Sequence, residues 1–152
     1  MNEPLRVVIV EDEAVVLMQL EMMLEDAGCA VIGTAMTATE AITLIRETLP
    51  ELVLLDLHLK DGSSGLDVAR AVRDQDDLTV VFLTANALKL TDDMEGAAGV
   101  IVKPFNRATI EGSLAYLEEC VRRPPPQRDL PLGVRLAPAY LARLDGMRPA
   151  AM

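Results

Sequence analysis

Short apolar runs alternate five times along this chain with stretches whose apolar residues recur at helical spacing, and this alternation limits the fold more than any other feature. Residues 5–10, 52–55 and 79–83 are β-branched or Leu-rich and nearly free of polar side chains. Strands covered on both faces of a parallel sheet have that composition. Two weaker runs, 30–36 and 100–102, complete the set. Between them, Val16, Leu20, Met23, Leu24 and Ala27 form one helical stripe, with Gly28 placed to stop it. Thr37 followed by Glu40 is a capping-box signature for a second helix, with Ile42, Ile45 and Leu49 facing inward. Ile110, Leu114, Leu117 and Val121 form the stripe of the last helix, which Pro124, Pro125 and Pro126 end because proline cannot continue it. Strand followed by helix, five times over, implies right-handed crossovers. The expected fold class is α/β, a doubly wound five-stranded parallel sheet flanked by five helices.

Composition narrows the function. The formal net charge of −10 excludes the basic footprint that direct nucleic-acid binding requires. The N-terminus has too short an apolar stretch for a signal peptide or a membrane span, so no membrane insertion and a cytoplasmic location are expected. Cys29 and Cys120 lie far apart without metal-like spacing and read as reduced thiols.

The domain is expected over residues 4–122, with 123–152 a Pro-rich linker and short tail that carries no output domain. The tail holds Arg128, Arg135, Arg143 and Arg148 against Asp129 and Asp145, whereas the body has 10 basic and 22 acidic residues. Residues 138–144 suit a brief helix with Tyr140, Leu141 and Leu144 on or near one side, too small for a core of its own. Folding back on the body, binding a partner and remaining disordered all stay open for it.

In a doubly wound sheet, functional groups gather at the carboxyl ends of the strands. Glu11 and Asp12 follow the first run, Asp56 the third, Thr84 the fourth, and Lys103 with Pro104 the fifth. One acidic residue after a strand is ordinarily a helix cap. Three carboxylates, a hydroxyl and an ammonium from four strands suit phosphoryl transfer to a carboxylate. Asp12 and Asp56 are oxygen ligands for a hard cation such as Mg2+, with Glu11 orienting its water and a main-chain carbonyl just after Asp56 completing the set. Asp56 is then the nucleophile and becomes an acyl phosphate, Lys103 supplies a second positive charge, and Thr84 donates its hydroxyl to the incoming group.

These residues stand in motifs that resemble the response-regulator receiver family. Val-Val-Ile-Val-Glu-Asp-Glu at 7–13, Leu-Leu-Asp-Leu-His-Leu at 54–59 with Gly62 behind it, Phe-Leu-Thr-Ala at 82–85 and Val-Lys-Pro-Phe at 102–105 occur in the family's order. The resemblance implies a sheet ordered 2-1-3-4-5, phosphorylation on Asp56, Mg2+ held by Glu11, Asp12, Asp56 and the His58 carbonyl, phosphoryl contacts from Thr84 and Lys103, and a cis Lys103–Pro104 bond. It further implies a non-enzymatic response regulator of a two-component system or phosphorelay. Its phosphodonor is a sensor histidine kinase or histidine phosphotransfer protein, and it acts through altered contacts with a downstream protein or through homodimerisation.

The sequence departs from the pattern in three places. Val100 stands where relatives usually carry Tyr or Phe. The stretch between Thr84 and Lys103 is about one helical turn short, which predicts a reduced fourth helix over 86–98 with Thr91 as an internal cap. That helix contributes to the family's usual partner-binding face. Glu11 replaces a commoner aspartate. His58 and Asn86, each two residues past a site residue, stand where side chains admit or block the water that hydrolyses the acyl phosphate. Met18 and Met22, one turn apart on the first helix, suit docking of a phosphodonor helix. A haloacid-dehalogenase-type phosphatase would need aspartate at position 58. A receiver-like module that works without phosphorylation is the alternative that Val100 and the short crossover support.

Overall fold

The computed structural model describes residues 3–87 and 90–149. Five parallel strands form as the apolar runs require: β1 (Arg6–Val10), β2 (Ala30–Ala35), β3 (Leu52–Asp56), β4 (Thr79–Thr84) and β5 (Gly99–Val102). Their order is β2-β1-β3-β4-β5, and β3 is buried along its whole length. Helices α1 (Ala14–Asp26), α2 (Ala38–Thr48), α3 (Gly65–Ala71) and α4 (Arg107–Arg122) cover the sheet.

The sheet has six strands where five are expected. Residues 123–152 do more than serve as linker and tail: β6 (Val134–Leu136) pairs antiparallel with the β5 edge, and α5 (Pro138–Gly146) follows it. Val134 and Leu136 are buried and Arg135 is exposed, so three residues suffice for the strand alternation. Tyr140 and Leu144 are buried on α5, while Leu141 faces solvent. Among the three fates left open for the tail, the fold has it docked on the body.

Among the described residues, the fifth α-helix is therefore supplied by the extension. Residues 88–89 of the expected fourth helix lie outside the described residues; beyond them the crossover contains a 3-10 turn, Met94–Gly96. Thr91 serves there through its carbonyl, which accepts the Met94 N–H at 3.1 Å. Arg70 of α3 pairs with Glu95, and Arg73, in the turn just past that helix, pairs with Asp93; together they hold the 3-10 turn against this end of α3. One inward assignment and one stripe residue fail at helix ends. Leu49 caps α2 in the left-handed conformation (φ 48°) and is exposed, and Ala27 lies past the end of α1, also exposed. Ala38, Ala41 and Ile45 form the buried face of α2, and Leu17, Leu20 and Leu24 that of α1.

Candidate functional site

Strand register sets the site. β1, β3, β4 and β5 lie side by side in parallel, so the residues that end them meet at one edge. Glu11 follows β1 and is fully buried, with one carboxylate oxygen accepting the Glu13 N–H at 3.2 Å. Asp12 beside it is partly buried. Asp56 ends β3 and Thr84 ends β4, both nearly inaccessible. The Thr84 carbonyl accepts the Lys103 N–H at 2.9 Å, fixing the end of β4 to the start of the Lys103–Pro104 loop, whose peptide bond is cis.

Lys103 closes the cluster. Its Nζ lies 3.1 Å from Glu11 Oε1 and 3.5 Å from Asp56 Oδ2. Oxygens of Glu11, Asp12 and Asp56 all lie within 4.8 Å of one another. Burial disfavours the Lys103 ammonium, but the Asp56 and Glu11 carboxylates outweigh it and hold its pKa above the ordinary lysine value. Burial, together with a hydrogen bond to Glu11 and that residue's like charge, pushes Asp12 above the usual carboxylate range. One ammonium among three carboxylates leaves an excess of negative charge in a low-dielectric edge. An all-oxygen donor set with that excess fits a hard divalent cation.

The β3–α3 loop supports Asp56 from below. Gly65 N–H donates to the Leu57 carbonyl at 2.8 Å, and a Cβ at Gly65 would lie 2.2 Å from the Asp56 carbonyl oxygen. No side chain fits between α3 and the end of β3. Ser64 caps α3: its hydroxyl accepts from Leu66 N–H, and its own N–H donates to Asp67. The Ser64-x-x-Asp67 spacing could have located this start in the sequence. His58 is exposed and paired across the loop with Ser64, its N–H donating to Asp56 Oδ1 at 3.4 Å. Asn86 is also exposed, and its N–H donates to Thr84 Oγ1 at 3.0 Å. The two thus stand at the rim, each bonded by its main chain to a buried site residue. Val100 is fully buried and backbone-paired with Phe82 on one side and Arg135 on the other.

A family model for the response regulator receiver domain matches residues 7–115. Among curated proteins, the chain is similar to the phyllosphere-induced regulator PhyR of Methylorubrum extorquens. They share 36% identity over 122 residues, covering 77% of this chain and 46% of that protein. The chain spans about half the length of the curated relatives it matches. Among solved structures, the receiver domain of the Erythrobacter litoralis PhyR response regulator superposes with a TM-score of 0.71 at 34% identity, covering 80% of this chain and 95% of that one. A two-component response regulator of the LuxR family from Aurantimonas sp. SI85-9A1 gives a TM-score of 0.68 at 25% identity, covering 94% and 96%. Residues 4–122 alone do not supply that share, so the match takes in part of the extension.

Proposed function

The chain belongs to the response regulator receiver family, and from that membership we propose that it accepts a phosphoryl group on Asp56 from a phosphohistidine and signals through changed protein contacts. The carrying observation is the placement of Lys103 Nζ between Glu11 and Asp56, within a cluster of three carboxylates. Glu11, Asp12 and Asp56 would hold Mg2+, with the His58 carbonyl as a further ligand. That cation, when bound, neutralises charge on the phosphoryl oxygens.

An Asp56 carboxylate oxygen forms the new bond to phosphorus as the phosphorus–nitrogen bond of the donor breaks. The imidazole keeps that electron pair and takes a proton from solvent. Lys103, already 3.5 Å from Asp56 Oδ2, turns its ammonium to the phosphoryl oxygens, and the Thr84 hydroxyl donates to the same group. The donor is a sensor histidine kinase or a histidine phosphotransfer protein. Val15, Met18 and Met22, all strongly exposed on α1, offer it an apolar strip. The protein is a signalling component and not an enzyme, it works in the cytoplasm where such donors present their phosphohistidine, and its output is a protein partner or a second copy. The described residues include no helix long and apolar enough to cross a membrane.

Incubation with Mg2+ and acetyl phosphate, followed by intact-mass measurement, tests this reading. Wild type should gain one phosphoryl group, and Asp56→Asn none. Failure of wild type to gain mass would favour the phosphorylation-independent module, for which Val100 speaks.

A further inference from the structure

Two hydrogen bonds tie the extension to the backbone next to Thr84 and Lys103. At one end, Val102 N–H, immediately before Lys103, donates to the Gly133 carbonyl at 2.8 Å, where the chain enters β6. At the other, the Arg135 guanidinium donates to the Ala87 carbonyl at 3.3 Å, three residues past Thr84. The loop between Thr84 and Ala87 is itself folded onto Thr84 by the Asn86 N–H bond to its hydroxyl oxygen.

The docking is written into β5 as well. A Cβ on Gly99 would lie 2.4 Å from the Arg135 carbonyl oxygen, so β6 can approach only because position 99 carries no side chain. Ala137 N–H adds a bond to the Ala98 carbonyl at 2.7 Å. Beyond β6, Tyr140 and Leu144 bury themselves, and Tyr140 faces the buried Cys120 of α4. Yet β6 has only three residues, and its guanidinium tether is long for a hydrogen bond. Short edge strands of this kind open below the global unfolding free energy.

Resting on the phosphorylation of Asp56 proposed above, we infer that β6 and α5 read the state of the site. When the Thr84 hydroxyl engages a phosphoryl group on Asp56, loop 85–87 moves toward β3 and off the Arg135 guanidinium, and the extension loosens from the β5 edge. Val100, buried between Phe82 and Arg135, has no ring to swing; the strand beside it moves instead.

Cys120 reports this directly. It is nearly inaccessible, and burial pushes its thiol up to about 11, the hydrogen bonds from Tyr116 and Tyr140 opposing that rise only in part. Loosening of α5 exposes it and removes the burial that raises its pKa, so both effects accelerate alkylation. The experiment treats the full chain with iodoacetamide, with and without Mg2+ and acetyl phosphate. Peptide mapping separates Cys120 from Cys29, and intact mass measures phosphorylation in the same sample. Alkylation of Cys120 should rise about tenfold on phosphorylation, as an opening equilibrium shifted by that factor requires, while Cys29 stays unchanged. Phosphorylated protein in which Cys120 reacts at the old rate, or more slowly, overturns the inference and leaves the receiver chemistry standing. Absence of phosphoryl uptake removes both. Arg135→Ala, at an exposed position, should raise the unphosphorylated rate several-fold and shrink the response. An unchanged basal rate in that variant would also overturn the inference.

Discussion

The carboxyl edge of the sheet and the C-terminal extension are fastened in opposite ways. At the edge, Glu11, Asp56 and Thr84 are buried at the ends of central strands, held by ladders on both sides and linked by the Lys103 ammonium. The extension hangs on the outer edge of β5 by a three-residue strand, and its buried side chains are few: Val134 and Leu136 on β6, Ala137 after it, and Tyr140 and Leu144 on α5. One region is rigid because any movement breaks several strands. Displacing β6 breaks pairing with β5 alone and leaves the ladders among the five parallel strands in place.

The sharpest way to break this contrast is to hollow out each region in turn. Leu54→Ala, in the middle of β3, should cost about 3–5 kcal/mol of global stability by urea denaturation. Leu144→Ala, equally buried on α5, should cost about 1–2 kcal/mol, because the global cost cannot exceed what docking of the extension contributes. Equal losses would make the extension part of the cooperative core. Next, the rim can be probed without touching the buried site. Because the His58 and Asn86 side chains are exposed beside it, alanine at each should change the half-life of the phosphorylated protein by about 2- to 10-fold while leaving uptake of the phosphoryl group intact. Unchanged half-lives in both would show that these side chains do not govern water access. The smallest effect lies at the opposite end of the sheet, where Arg122 of α4 grips Glu51 and the carbonyls of Glu3 and Pro4. The Arg122 hydrogen bond, against an opposing cost of burial, holds the Glu51 carboxyl below its ordinary value of 4.5. Its stabilisation is therefore complete above that value and is lost as pH falls through the lowered one. Arg122→Ala should remove about 1 kcal/mol or less of stability at pH 7 and flatten the acid limb of the stability curve below pH 4.5.

The rigid region was legible in the chain because its signals are local. A buried strand must be apolar from end to end, so Glu11, Asp56, Thr84 and Lys103 stand out as the first polar residues after each run. Of the extension only the helix was legible, at 138–144; Val134-Arg135-Leu136 is too short for a period to register, and its docking depends on Gly99, distant in sequence. Leu49 was misplaced because spacing alone does not show where a helix ends; the α2 backbone turns left-handed there and sends the side chain to solvent. The crossover before β5 was legible as shortened, but its 3-10 form was not, for a related reason. Its form depends on Arg70 of α3 and Arg73 just past it reaching Glu95 and Asp93, pairs that no periodicity announces.

Those ion pairs have a mechanical consequence. The β4–β5 crossover is clamped to α3 and the turn after it near its far end, whereas near Thr84 the described residues hold it by the turn bond from Asn86 and a hydrogen bond from Arg135. On the inference drawn above, a pull at Thr84 would meet a crossover fixed at its far end and be carried sideways to the neighbour strand. The clamp would thereby give such a switch its direction of travel, although each ion pair within it contributes little to stability.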